Sequence, residues 1–441
     1  MVRFHFALAA TLALAAQSTS AFTIGSPSGL AAGTTGGEGG ETVYPTTPAE
    51  LISYLNQTEP LVIVLNQTID FRGTEGTTTE AGCRPQNNRK CLASNTGFKG
   101  QDVILQSGGM NNTGGCTNGT ETTVTYDNAA IKRMNVKANK TLRGIGKNGV
   151  IKGKGLTLNG DNIIVQNVHV TELNPHVIWG GDAFFMQGSN KGNTTLNNIW
   201  LDHVKVSRVG RQMVVTNKAG VASLTISNSD FDGNTEFSSS CDGRHYWTFL
   251  FYGKNTGVSM LNNYVHSTSG RSPKVGGNKN EHVTVHIANN YWGNNSGHSF
   301  ELGENAYVLA EGNYFDNTKQ PLDKKTTMGA LYGPTGTDGT DLCSASLGRA
   351  CSVNTLVNSG NFTSLNAEAA LVDAKEHAAI AGYSSNSVQQ TTQSSDSEQQ
   401  TQTQQYTPGT AKPSGETSIQ AADLAKEWEA TTDNFGVGKL D

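Results

Sequence analysis

One short pattern recurs along most of this chain and limits what it can fold into. An apolar, β-branched run ends on a polar residue at 162–170, 198–206, 222–231, 258–265, 283–292 and 308–315. Aligned on that polar residue, Asn167, His203, Ser229, Asn263, Asn290 and Asn313 form one column, with successive members 36, 26, 34, 27 and 23 residues apart. A unit of this size cannot bury its apolar face alone and must stack on copies of itself. The reading is an all-β, single-stranded parallel β-helix with one strand per coil. Its β-branched residues line a solid interior, and its polar column stacks amide on amide at a corner. A β-sandwich of short strands would give the same alternation but not the repeated column. The 51 glycines supply turns. The unequal spacings imply loops of unequal length, which on one side of a solenoid build a binding face.

The pattern stops after Cys351. Residues 366–382 are rich in Ala and Glu and read as a helix packed over the last coil, the cover that a solenoid end needs. From Ser384 to 418 the chain is mostly Ser, Thr and Gln, too poor in apolar residues to offset the cost of ordering, and is expected to be disordered. A tail over 419–441 holds Leu424 and Trp428 one helical turn apart and reads as a short helix. The solenoid domain therefore occupies 22–383.

At the other end, Arg3 precedes an apolar run over 6–16, then polar 17–20 and Ala21, which reads as a secretory signal peptide over 1–21. The run falls short of the roughly 20 apolar residues that span a bilayer. The expectation is a secreted, extracellular monomer with no membrane partner. Sequons begin at Asn56, Asn66, Asn111, Asn118, Asn139, Asn193, Asn294 and Asn361, and some of them are expected to carry glycans. Six cysteines in an exported chain imply three disulfides. None of the six forms a Cys-x-x-Cys pair, so metal binding is disfavoured. Cys343 and Cys351 are close enough in sequence to shut a small loop, while the other pairings stay open on this reading. A net charge of −5, with no basic run interleaved with aromatics, argues against nucleic acid.

The chemistry centres on Ser269-Gly270-Arg271-Ser272-Pro273-Lys274, where a glycine-marked turn between two rungs offers two cations side by side. An arginine followed by Ser-Pro-Lys in such a turn fits a pre-set loop at a site better than a surface ion pair. Three earlier motifs join it in order: Trp179-Gly180-Gly181-Asp182, Val209-Gly210-Arg211-Gln212 and Cys241-Asp242-Gly243-Arg244-His245-Tyr246-Trp247. Together they closely resemble the pectin lyases of the pectate lyase superfamily, polysaccharide lyase family 1. Ser296-Gly297-His298-Ser299-Phe300-Glu301 and Tyr307-Val308-Leu309-Ala310-Glu311-Gly312-Asn313 continue the resemblance, which covers about 25–382.

The resemblance implies a right-handed parallel β-helix with long loops around a substrate cleft, and cleavage of methyl-esterified polygalacturonan by β-elimination. It implies no cofactor and no metal: one acid, Asp182, remains, and Arg211 stands where calcium sits in the calcium-dependent pectate lyases. It makes Arg271 the base, crowded by the cations Lys274 and Arg211; the alternative is that Arg271 only stabilises the enolate-like state while another group or water takes the proton. Asp182 is expected to orient Arg211 and touch substrate, and Lys274, Trp179, Tyr246 and Trp247 to bind it. It also pairs Cys91 with Cys241, Cys83 with Cys116 and Cys343 with Cys351. Independently of the family, removing the C5 proton of a uronate ester builds charge on the C6 oxygens, which fixed cations stabilise. Trp200 reads as packing, and His203 and His245 as structural. Two departures stand out: no tryptophan precedes Trp179, and the Ser/Thr/Gln-rich tail lies outside the family pattern. The rival readings are a calcium-dependent pectate lyase, a hydrolase working through paired carboxylates, and a non-catalytic pectin-binding solenoid.

Overall fold

The computed structural model describes residues 22–86, 88, 93, 95–104, 116, 118–336, 340–384 and 435–440. The expected signal peptide, the stretch from 385 to 418, the Leu424/Trp428 helix, Cys91 and the Asn111 sequon lie outside the described residues.

The described residues form a parallel β-helix. Three long sheets of ten, eight and nine strands run along it, each adding strands in chain order, and every pairing within them is parallel. One coil visits all three, as in Phe184–Met186, Ile199–Asp202 and Lys205–Val209. The sequence reading of one strand per coil is corrected to three. Each apolar repeat holds two strands either side of a bend. The third, such as Val214–Thr216 or Phe249–Phe251, is three residues long and too short for periodicity to separate from a loop.

Inward side chains stack directly from coil to coil. Val165, Leu201, Ile226, Met260 and Ile287 form one such column, each 0% exposed. Each buried aliphatic contributes about 1.5–3 kcal/mol. Towards the far end the interior turns aromatic, with Trp292 stacked on Phe315 at 5.1 Å and Phe362 following at 5.0 Å.

The polar corner is two columns rather than one. Register sets Gln166, Asp202, Ser227, Leu261, Ala288 and Glu311 side by side. Asn167 and His203 therefore align with Asn228, Asn262, Asn289 and Gly312, all in the left-handed region with φ between 47° and 63°. Asparagine and glycine tolerate that conformation best. Ser229, Asn263, Asn290 and Asn313 fall one position later, beneath Val168 and Val204. In this second column Asn263 donates to Asn290 Oδ1 at 2.8 Å and Asn290 to Asn313 Oδ1 at 3.1 Å, and the ladder runs on to Asn354.

At the first coil, Leu51 and Leu55 of the helix Pro48–Leu55 are fully buried, and a Thr47/Glu50 capping box starts that helix. At the other end, the helices Ala367–Lys375 and Ala378–Ala381 lie on the outer face of the ten-stranded sheet, over Leu309 and Tyr332, and Phe362 fills the interior. An early segment crosses the same outer face: Gly37, Ala31 and Leu30 donate backbone N–H groups to Thr141, Thr225 and Ser259. A small mixed sheet of Thr77–Arg84, Asp102–Ile104, Thr120–Asp127 and Val177–Ile178 carries the chain straight into Trp179. Cys83–Cys116 staples it, and Cys343–Cys351 closes the late loop. Cys241 is disulfide-bonded too.

Candidate active site

The functional motifs share one place in the coil. Asp182, Arg211, Trp247 and Arg271 each lie within three residues ahead of a strand of the eight-stranded sheet, on consecutive coils. A strand spacing of about 4.8 Å sets them in a row. Local backbone aims them: Trp179 and Arg271 take positive φ, 73° and 48°. Gly270 is required beside Arg271, because a Cβ there would stand 2.4 Å from the Tyr246 ring.

These turns enclose a cavity of about 570 Å³ lined by Trp179, Arg211, Tyr246, Trp247 and Arg271, with Ser239 and Ser240 on one wall. The Arg211 guanidinium lies 3.3 Å from the centre of the Trp179 ring. The Arg271 guanidinium lies 4.7 Å from the Trp247 ring and 5.8 Å from Tyr246. Trp247 is fixed by its indole N–H, which donates to Gln101 Oε1 and Ser239 Oγ at 3.0 and 3.1 Å. The Nε atoms of Arg211 and Arg271 and the indole N–H of Trp179 are buried without a hydrogen-bond partner among the described residues. No carboxylate is among the described residues that line the cavity.

Two expected members stand beside the cavity, already engaged. Asp182 pairs with Arg133 at 3.0 Å and accepts the Gln212 N–H at 3.0 Å, so the partner it holds directly is Arg133 and not Arg211. Lys274 does not crowd Arg271 as a bare cation, because it is ion-paired to Glu301, its neighbour across the rung. Glu301 also meets His298 at 3.3 Å and Arg271 Nε at 3.9 Å. Burial pushes the Glu301 pKa up, but His298 and Lys274 outweigh it and hold the carboxyl at about 2. Burial drives the Arg211 pKa down to about 10; Asp182 opposes the shift and the charges of Arg271 and Arg133 add to it.

Arg133, Gln101 and Glu301 were missed by the sequence reading. Glu301 ends a motif that reading had already marked, and its pairing with Lys274 follows from register. Arg133 carries no signal at all. The histidines are as expected: buried His245 bonds the Arg211 and Trp247 carbonyls at 2.7 and 3.0 Å, and His203 meets Asp202 at 2.8 Å. Trp200 is buried and donates to Ser227. A second cavity of about 590 Å³ beyond the 234–244 loop is lined by charged groups that are already engaged. Its Lys99 pairs with Glu236 at 3.7 Å, and its Arg244 is bonded to Asn294 at 2.9 Å.

Two guanidinium groups presented to a half-open, aromatic-walled cleft can bind a carbonyl oxygen and stabilise charge that develops on it. Calcium would need six to eight oxygen ligands, and among the described residues the acid beside Arg211, Asp182, is held by Arg133, so these residues do not fit that ion.

The chain is 44% identical over 365 residues to the probable pectin lyase F of Aspergillus flavus, which covers 82% of this chain and 80% of that protein. The chain belongs to the pectin lyase family. Pectin lyase B of Emericella nidulans is 41% identical over 368 residues, 82% of this chain and 90% of that one. Among solved structures, a pectate lyase from Acidovorax avenae subsp. citrulli superposes with a TM-score of 0.47 at 17% identity, covering 98% of this chain and 99% of that chain. No family model matches. From the early chain, Pro85 and Asn88 line one side of the cavity.

Proposed function

We propose that this protein is exported, works as a monomer, and cleaves α-1,4 linkages of methyl-esterified polygalacturonan by β-elimination without a metal. The observation that carries the reading is the cavity itself: two guanidinium groups on aromatic rings and no carboxylate among its described lining residues.

Arg211 holds the C6 ester carbonyl. It is poorly solvated and partnered mainly by a ring face, so its charge is available to the oxygen on which negative charge builds. Arg271, in its unprotonated form, takes the proton from C5. The C5–H electron pair becomes the C4=C5 double bond, the C4–O bond breaks, and the glycosidic oxygen leaves and takes a proton from water as a new chain end, while Arg271 returns the C5 proton to solvent. An ester makes the C5 proton more acidic than a carboxylate does, so the one cation at Arg211 suffices where a uronate anion would call for more charge. Trp179, Tyr246 and Trp247 give the C–H faces of the sugars a surface to stack on. Hydrolysis would need two carboxyls facing the bond, and those lining residues supply none.

The test is near-ultraviolet absorbance during incubation with highly methyl-esterified pectin in the presence of a chelator. A rise from the conjugated product is expected for the native chain and its absence for Arg271→Ala. A rise seen only with added calcium on de-esterified polymer would sink the reading.

A further inference from the structure

Residues 435–440 lie against the outer surface of the solenoid. Phe435 is 5% exposed, with its ring 5.6 Å from Tyr264. The Gly436 N–H donates to the Asn228 carbonyl at 2.9 Å. The Gly438 N–H donates to Asn167 Oδ1 at 2.7 Å. The segment thus reaches from the coil of Asn167 to that of Tyr264.

The fit is to backbone. Gly436 and Gly438 both take positive φ, 72° and 82°. A Cβ on Gly436 would stand 2.8 Å from Asp230 Cβ, and one on Gly438 2.5 Å from Lys147 Cγ. Glycine is therefore required twice in three residues, once for conformation and once more for contact. The receiving surface is equally particular. Asn167 spends its amide N–H on the Gly144 and Gly146 carbonyls. On the next coil His203 turns to Asp202, so that coil gives Asn167 Oδ1 no donor side chain. The oxygen is left for the Gly438 N–H where the left-handed column carries no ladder.

We propose that the corner formed by Asn167, Asn228 and Tyr264 is a peptide-docking slot whose ligand is the chain's own Phe435-Gly436-Val437-Gly438 segment. None of the slot residues lines the cavity, so docking and catalysis are separable.

The test uses the full chain with a specific protease site inserted after Gln405. After cleavage, the fragment carrying 435–440 is expected to co-elute with the body on gel filtration, and to separate when the cut chain carries Phe435→Ala or Gly438→Val. Pectin-cleaving activity and circular dichroism of both variants are expected to match the parent, which shows that the bodies are folded. Separation of the unsubstituted fragment overturns the proposal. So does equal retention in both variants, which would place the binding elsewhere. Elution of the uncut chain as a dimer that Phe435→Ala dissolves would mean that a second copy fills the slot, and would overturn occupancy by the same chain.

Discussion

The corner ladder of Asn263, Asn290, Asn313 and Asn354 and the turns leading into the eight-stranded sheet repeat coil by coil on the same solenoid, yet they treat polar groups in opposite ways. At the corner, Asn290 accepts from Asn263 and donates to Asn313, Met260 and Ala288, so a buried amide is fully used. At the sheet, Arg211 and Arg271 each keep a buried N–H without a hydrogen bond. Satisfied buried groups stabilise, and unsatisfied ones cost free energy and hold interaction in reserve. The repeat is kept where it carries the fold and is broken where it carries chemistry.

Substitutions in the two regions should therefore separate stability from turnover. Asn290→Ala strands several buried partners at about 1–3 kcal/mol each. It should lower unfolding free energy by about 4 kcal/mol in a denaturant titration while leaving kcat of the folded fraction intact. Arg211→Met should do the reverse. Loss of one oxyanion donor corresponds to about 3–4 kcal/mol of barrier, a fall of 10²- to 10³-fold in kcat. Its thermal midpoint should hold or rise, because an apolar chain replaces a buried, loosely partnered charge. A clear drop in the midpoint would mean that Arg211 belongs with the corner in kind.

Glu301→Gln lies between the two regions. It removes the anion that holds Lys274, and kcat/KM should fall about tenfold or more, the worth of one charged hydrogen bond, with a smaller change in midpoint. The mildest expected effect is on pH. Burial depresses the His245 pKa to about 4, so as pH falls from 6.5 towards 4 the unfolded chain takes up a proton that the folded one refuses. Stability should fall across that window by up to about 1.4 kcal/mol per pH unit. His245→Asn should remove its share of that slope and leave the equal share of His169, whose pKa burial also depresses to about 4, whereas the loss below about 4.5, where Glu301 and Glu311 lose their advantage, should remain.

The solenoid was legible because its apolar repeats are long enough to show their period, and Arg211, Arg271, Trp179 and Trp247 were legible because each sits in a glycine-marked turn. What escaped is what register decides. Asn167 and Asn263 look equivalent in sequence, since each follows an apolar run, but strand pairing puts them one position apart. The three-residue strands vanish into apparent loops for want of length. The Arg133–Asp182 pair joins residues on different coils with no shared motif, so nothing local could signal it. Lys274 read as a free cation only because its partner across the rung is 27 residues away.

The segment that crosses the outer face of the ten-stranded sheet sets an order in time. Leu30 bonds Ser259, 229 residues further along the chain. The described part of the protein that is synthesised first therefore completes its contacts only after most coils exist, and closing so long a loop is entropically slow. During synthesis, this early ribbon finds its place only after the coils it crosses have formed.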